Sequence, residues 1–357
     1  RKCHLNTCPT GIATQDEKLR SKFRGKIEGV TAYFTAVVRE VREIMAEMGF
    51  RRFDEMIGRS DLLTARTEYH GITTRLNLDQ FFGGHSRVRP GRCLVARNDN
   101  PAPSMNNRLS EELLPFIEKG APVEKEYEIR NIDRSIPIRL NFHIAVRYRD
   151  EGLPPDTIRL TFRGTAGQSF GAFNHRGLSL TLIGDANDYV GKGMYGGRIV
   201  IRSQAALAED SSQVVAGNTV LYGAVGGEFF VAGRVGERFA VRNSGATAVA
   251  EGTGHHLCEY MTRGTVAVIG EVGHSVGAGM TGGILYLFDE DDTLTGKLDT
   301  SYVRALSLTD EDETGALRAL IERHYQFTGS IKAREILDVF PESLIRFKKV
   351  VPLSALS

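Results

Sequence analysis

Between Gly164 and Gly283 the chain alternates short apolar runs with glycine-marked polar turns at a near-constant interval. The runs RIVI, EFFV, ATAVA, TVAVI and ILYL read as strands, because a two-residue alternation sends successive side chains to opposite faces. The turns end on Gly177, Gly197, Gly227, Gly245, Gly264 and Gly283, at intervals of 20, 30, 18, 19 and 19 residues, and such a run follows each, LSLTL after the first. The long interval is one period plus a polar insertion, SQAALAEDSSQ (203–213). Ten residues before these glycines stand Gly167, Asn187, Gly217, Val235, Gly254 and Gly273, and in the fourth unit Gly236 holds the place after a one-residue slip. Such an interval is too short for helical-pair repeats and fits one coil of a solenoid, each coil pairing with its neighbours roughly 4.8 Å away. The pattern predicts a mainly β fold, a right-handed parallel β-helix over residues 160–290, flanked by α-helical segments.

The flanks carry a different period. From Arg20 to Met48 the residues Ile27, Val30, Phe34, Val37, Val38, Val41, Ile44, Met45 and Met48 follow helical spacing, with Gly49 as the stop. DEDETGALRALIERHYQF (310–327) is a second helix, acidic at its start as the helix dipole favours, and KAREILDVF is a shorter one ending at Pro341. These flanks are expected to cover the exposed edge coils of the stack. Residues 66–130 show little periodicity, and RNDNPAPSMNNRLS reads as loop, so this stretch is expected to be an extended linker wrapping the scaffold. The organisation expected is therefore a helical segment over 1–65, the linker over 66–130, the β-helix domain over 131–290 and a helical tail over 291–357.

Composition sharpens this picture at one point: 25 of the 39 glycines fall between Gly164 and Gly283, where turns need backbone positions that a side chain would hinder. The charge balance, 45 Lys+Arg against 44 Asp+Glu, gives no argument for nucleic acid or an anionic membrane as the main partner, and neither is expected. No run approaches the ~20 apolar residues of a membrane helix, and the opening residues carry no signal-peptide pattern. Four cysteines in 357 residues do not make a disulfide scaffold, and a reducing, cytoplasmic compartment is expected.

Several candidate sites read better as structure. GKGMYG (191–196) matches the dinucleotide fingerprint, but a strand follows it where a helix N-terminus would be needed, and its glycines belong to the repeat. His255, His256, Cys258 and His274 resemble metal ligands; His255 and His274 are one period apart, so a polar ladder with Asp188 and Asn218 is the simpler reading. Cys93 has no nearby companion and reads as a buried or free thiol. No Ser-His-Asp set or carboxylate pair stands out. The opening RKCHLNTCPTG is different: Cys3 and Cys8, with Pro9 following, place two thiolates on one tight loop, a donor set for an iron–sulfur or zinc centre. On spacing alone, two surface thiols remain the alternative.

Taken together, CHLNTCPTGIATQ, RRFDEMIGRSDLL, IRNIDRS and the repeat words GTAGQSFGAF, GDANDYVGKGMYGG, GNTVLYGA, GERFAVRNSGA, EYMT and GAGMTGG resemble the C-terminal part of the glutamate synthase large subunit, in the family's order across nearly the whole chain. The resemblance implies an oxidoreductase that makes L-glutamate from L-glutamine and 2-oxoglutarate through FMN and a [3Fe-4S] cluster. It implies that residues 1–65 are the edge of the FMN-binding, iron–sulfur domain, and that 131–290 is the GXGXG β-helix. The family's cluster motif is C-x5-C-x4-C-P; Cys3 and Cys8 match its second and third cysteines, and the first would lie six positions before Cys3. On that implication the chain is a fragment, inactive alone, that supplies two cluster thiolates and the scaffold. The nucleophilic cysteine and the FMN and 2-oxoglutarate sites would lie in upstream FMN-barrel, central and amidotransferase domains. A small NADPH/FAD subunit or ferredoxin would be the electron-donating partner. The chain departs from the family where GHHLCEYMTRG stands near the usual GDHGCEYMTGG, with Leu257 and Arg263 at small-residue positions, and where IRNIDRSIPIRLNFHIA lacks the usual glycine and serine. Two alternatives remain: a non-catalytic β-helix scaffold, as in formylmethanofuran dehydrogenase or stand-alone archaeal proteins, and a complete small metal protein using Cys3, Cys8 and one of Cys93 or Cys258.

Overall fold

The computed structural model describes residues 7–64, 104–202 and 213–356, in two compact units, Arg1–Asn100 and Pro101–Ser357. In the first unit the described residues begin with a turn at Cys8–Gly11. Helix α1 (Glu17–Arg20) follows, started by the Asp16 side chain accepting from the Leu19 N–H at 2.9 Å. Helix α2 (Ile27–Glu47) is the expected long helix, and Gly49 ends it with φ +79°. No helix among the described residues is long and apolar enough to cross a membrane.

The second unit opens with helix α3 (Met105–Lys119) and strand β1 (Val123–Ile129), followed by helix α4 (Ile138–Tyr148). Strands β2 (Ile158–Ala166), β3 (Leu178–Ala186), β4 (Arg198–Arg202), β5 (Val214–Ala216), β6 (Glu228–Val235), β7 (Ser244–Thr253), β8 (Arg263–Val268) and β9 (Ile284–Phe288) come next. β1-β2-β3-β4-β6-β7-β8-β9 stack in parallel, each hydrogen-bonded to its neighbours, and β5 bridges β3 and β6. The expected parallel β-helix is therefore present. One register column runs Leu160, Leu180, Ile199, Phe229, Ala248, Val266, Leu285 through successive coils, and all seven residues are buried inside the stack. The one-residue slip in the fourth unit is a β-bulge: the register between β6 and β7 shifts between Val231 and Arg234.

What turns the chain at each corner is a triplet of left-handed residues at every second position. Ser169, Gly171 and Phe173 have φ between +55° and +67°, and the same signature recurs at 189/191/193, 219/221/223, 238/240/242, 256/258/260 and 275/277/279. Within a triplet the N–H groups point alternately along the stack. Tyr189 and Gly193 donate to Asn218 and Tyr222 of the next coil, whereas Gly191 donates back to Phe170. Side chains such as Thr219, Arg238 and Cys258 tolerate a conformation that costs of order 1–3 kcal/mol because these bonds over-determine it.

The ends and the outer face are covered differently from expectation. The stretch read as an extended linker holds α3 and β1 from residue 105 onward; Leu109, Leu113 and Ile117 of α3 pack with Leu140 and Ile144 of α4 over Tyr127, Ile129 and Phe162. This pair covers the first coils. At the far end strand β11 (Phe347–Pro352) adds antiparallel to β9, and strand β10 (Val303–Ser307) pairs antiparallel with β11, which breaks the parallel stack. Helices α5 (Glu311–Thr328), α6 (Ile331–Asp338) and α7 (Phe340–Ser343) lie on the outer face of the sheet, where Leu317, Leu320, Ile321, Ala333, Ile336 and Phe340 cluster with Val200, Phe230, Val249, Ala267 and Tyr286. The strand runs of these coils are thus buried on both faces.

Candidate metal centre

The loop after Cys8 follows from its sequence, CPTGIA. Pro9 fixes the second position of a turn and removes an N–H, and the Gly11 N–H closes the turn on the Cys8 carbonyl at 3.1 Å. Gly11 has φ +78°, and a Cβ there would lie 2.4 Å from the Leu19 carbonyl oxygen, so only glycine fits. The chain then curls so that polar hydrogens surround one sulfur. Cys8 Sγ lies 3.3 Å from Thr10 Oγ1, and the amides of Ala13, Thr10 and Ile12 also face it. The Thr10 hydroxyl first, then these amides, hold the Cys8 thiol down to about 6, well below its ordinary value, which favours the thiolate form that binds soft metals. The sulfur is partly exposed and open to a ligand. A sulfur cradled by hydrogen-bond donors is the donor chemistry of a soft-metal or iron–sulfur ligand, and the Cys8 loop fits one ligand position of such a group.

Cys3 lies outside the described residues, as does Cys93. Among the described residues no three His, Cys, Asp or Glu side chains converge as a metal-holding group. Cys258 is the middle residue of a left-handed triplet and fully buried, which pushes its thiol strongly up and leaves it inert. His255 and His274 stack with ring centroids 5.4 Å apart, but as rungs of the expected ladder. The Asn218 N–H donates to Asp188 Oδ1 and the Glu237 N–H to Asn218 Oδ1, each at 2.7 Å. The His255 N–H then donates to Glu237 Oε2 at 2.7 Å and the His274 N–H to His255 Nδ1 at 2.8 Å. GKGMYG supplies left-handed Gly191 and Gly193 and is spent on the corner. Leu257, at a small-residue position of the repeat, is buried in the core, and Arg263 opens β8 on the surface.

Two polar groups escaped the sequence reading. An open cleft of about 760 Å³ is lined by Asp156, Arg176, Ser179, Arg198 and Glu228. Its Arg198 is bound to Asp156, lies 3.9 Å from Glu228 and stacks over Phe327 at 4.1 Å. Burial pushes the Asp156 carboxyl up, but the Ser179 hydroxyl and Arg198 outweigh it and hold it below its ordinary value. The cluster is a satisfied brace. The second group is buried: Glu251, beside the β6–β7 bulge, accepts from the Ser330 hydroxyl, with His324 Nε2 at 3.7 Å. Ser330 also starts α6 by accepting from the Ala333 N–H at 2.9 Å, which ties the outer helices to the sheet. Its members are 73 and 79 residues apart from Glu251, so no local motif announces them.

Residues 106–353 match the family model described as the GXGXG motif, and residues 1–51 match one described as a conserved region in glutamate synthase. Similar proteins include a glutamate synthase (NADH) of Schizosaccharomyces pombe, 46% identical over 99% of this chain and 17% of that protein. A glutamate synthase (NADPH) large chain of Bacillus subtilis is 43% identical over 99% of this chain and 23% of its own length. A chloroplastic ferredoxin-dependent glutamate synthase 2 of Arabidopsis thaliana is 41% identical over 99% of this chain and 22% of its own length. The chain spans about a fifth of the length of these relatives.

Proposed function

Because the chain belongs to the GXGXG-motif family, we propose that it is the solenoid-bearing section of a glutamate synthase large chain and contributes thiolates to its iron–sulfur centre. The observation carrying this reading is similarity over 99% of the chain to relatives named for three different electron donors, NADH, NADPH and ferredoxin. A section shared across donors serves what those enzymes have in common, not the choice of donor.

In this reading Cys8 and Cys3 hold a [3Fe-4S] cluster together with a third cysteine six positions before Cys3. When bound, the cluster supplies single-electron transfer between the donor and FMN. The chain's own residues hold the Cys8 sulfur as a thiolate in a turn that Pro9 and Gly11 fix, with one side open. The apolar stripe of α2 docks on the FMN-binding part of the protein, outside this chain, with the central and amidotransferase domains beyond it. The solenoid, bonded coil to coil, acts as a stiff scaffold. The whole reaction takes L-glutamine, 2-oxoglutarate, two electrons and two protons to two L-glutamates, in the cytoplasm, with a small NADPH/FAD subunit or ferredoxin as electron donor.

The test is glutamate formation by the full-length protein from glutamine and 2-oxoglutarate, assayed with NADH, NADPH and reduced ferredoxin in turn. Product with one donor supports the proposal. No product with any donor, from folded protein of full length, rejects it.

A further inference from the structure

We propose that Thr10 is a positioning residue whose hydroxyl hydrogen-bonds the Cys8 sulfur and sets the reduction potential of the bound cluster. The inference rests on the reading of Cys8 as a cluster ligand. Its basis is the 3.3 Å approach of Thr10 Oγ1 to Cys8 Sγ. In the free thiol either atom can donate. A metal-bound sulfur carries no proton, so the Thr10 hydroxyl becomes the donor. Pro9 has no N–H, so Thr10 is the first residue after the ligand that can donate at all, and it does so from both backbone and side chain.

Donors to a cluster sulfur stabilise the reduced state, which carries one more negative charge, and so raise the potential. The amides of Thr10, Ile12 and Ala13 are held by the turn and survive a change of side chain. The Thr10 hydroxyl is the removable donor. Its side chain is exposed, so a valine of the same shape fits without moving the loop.

The experiment is a dithionite redox titration of the full-length enzyme, followed by electron paramagnetic resonance, for the wild type, Thr10→Val, Thr10→Ala and Thr10→Ser, with iron per chain measured for each. The expected result is unchanged iron in all four, a midpoint potential shifted to more negative values in Thr10→Val and Thr10→Ala, and a wild-type midpoint in Thr10→Ser. A wild-type midpoint in Thr10→Val overturns the inference alone. Iron lost from both Thr10→Val and Thr10→Ala also overturns it, because the hydroxyl would then hold the loop and not tune it. A wild-type enzyme without iron overturns the cluster reading and this inference with it.

Discussion

Helices α2 and α5 have the same kind of apolar stripe and opposite fates. α5 buries Leu317, Leu320 and Ile321 on the outer face of the sheet. α2 buries only Met45 among its 21 residues, and leaves Ile27 82% and Phe34 60% exposed. The difference lies in what the described residues of each helix's own unit supply. Along one outward register column the residues are Thr161 and Thr181 in β2 and β3, then Val200, Phe230, Val249, Ala267 and Tyr286 from β4 on. The column turns apolar where α5 and α6 cover it, so sheet and helices are written as partners. Among the described residues of its own unit nothing comparable covers α2. An amphipathic helix states that a partner exists; only a matching apolar surface says where.

The comparison breaks most visibly at Phe230, fully buried in that column. Phe230→Ala should cost about 3–5 kcal/mol, read as a lower denaturant midpoint with unchanged m-value. Ser330→Ala removes the α6 cap and the partner of buried Glu251 together, and about 1–3 kcal/mol should be lost. A smaller loss would mean that the outer helices are held by apolar contact alone. Asn218→Ala deletes one rung of the side-chain ladder, leaving the Glu237 N–H without its acceptor, and should cost about 1 kcal/mol by the same measurement. On α2 the expectation reverses: Phe34→Ser should leave the stability of this chain within about 0.5 kcal/mol. A loss like that of Phe230→Ala would show a covered α2 and end the contrast.

The two described cysteines sharpen it chemically. Iodoacetamide labelling mapped by peptide mass should find Cys8 reactive from about pH 6 upward and Cys258 unlabelled in the folded chain at any pH that keeps it folded. With a folded thiol near 6 and an ordinary value of 9.0, unfolding takes up a proton between these limits. The contribution of Cys8 to stability is therefore present above pH 9 and is lost as pH falls through 6.

How much of this was readable in the sequence depended on period. The glycines at the end of each turn marked the coils, and the phase shared by Asp188, Asn218, His255 and His274 marked the ladder, since both repeat with the stack. The left-handed triplets were legible at Gly191 and Gly193 and hidden at Arg238, Ala240 and Arg242, where inter-coil bonds and not glycine hold the backbone. α3 was missed because Pro115 lies inside it and its start is polar, although Leu109, Leu113 and Ile117 at four-residue spacing carried the signal. β1, VEKEYEI, reads as surface because its outward glutamates pair with Arg159 and Arg163 of the next coil. The Cys8 loop could be named from CPTG, but its thiolate character needed the curl that brings the Ala13 and Ile12 amides back to the sulfur.

The proposed binding of iron by the Cys8 sulfur has a direct test. The direct measurement is iron and acid-labile sulfide per polypeptide in the full-length protein, wild type against Cys8→Ser, with flavin content as the check on folding. Stoichiometric iron and sulfide are expected in the wild type, and their loss in Cys8→Ser with flavin retained. Equal iron and sulfide in both would contradict it.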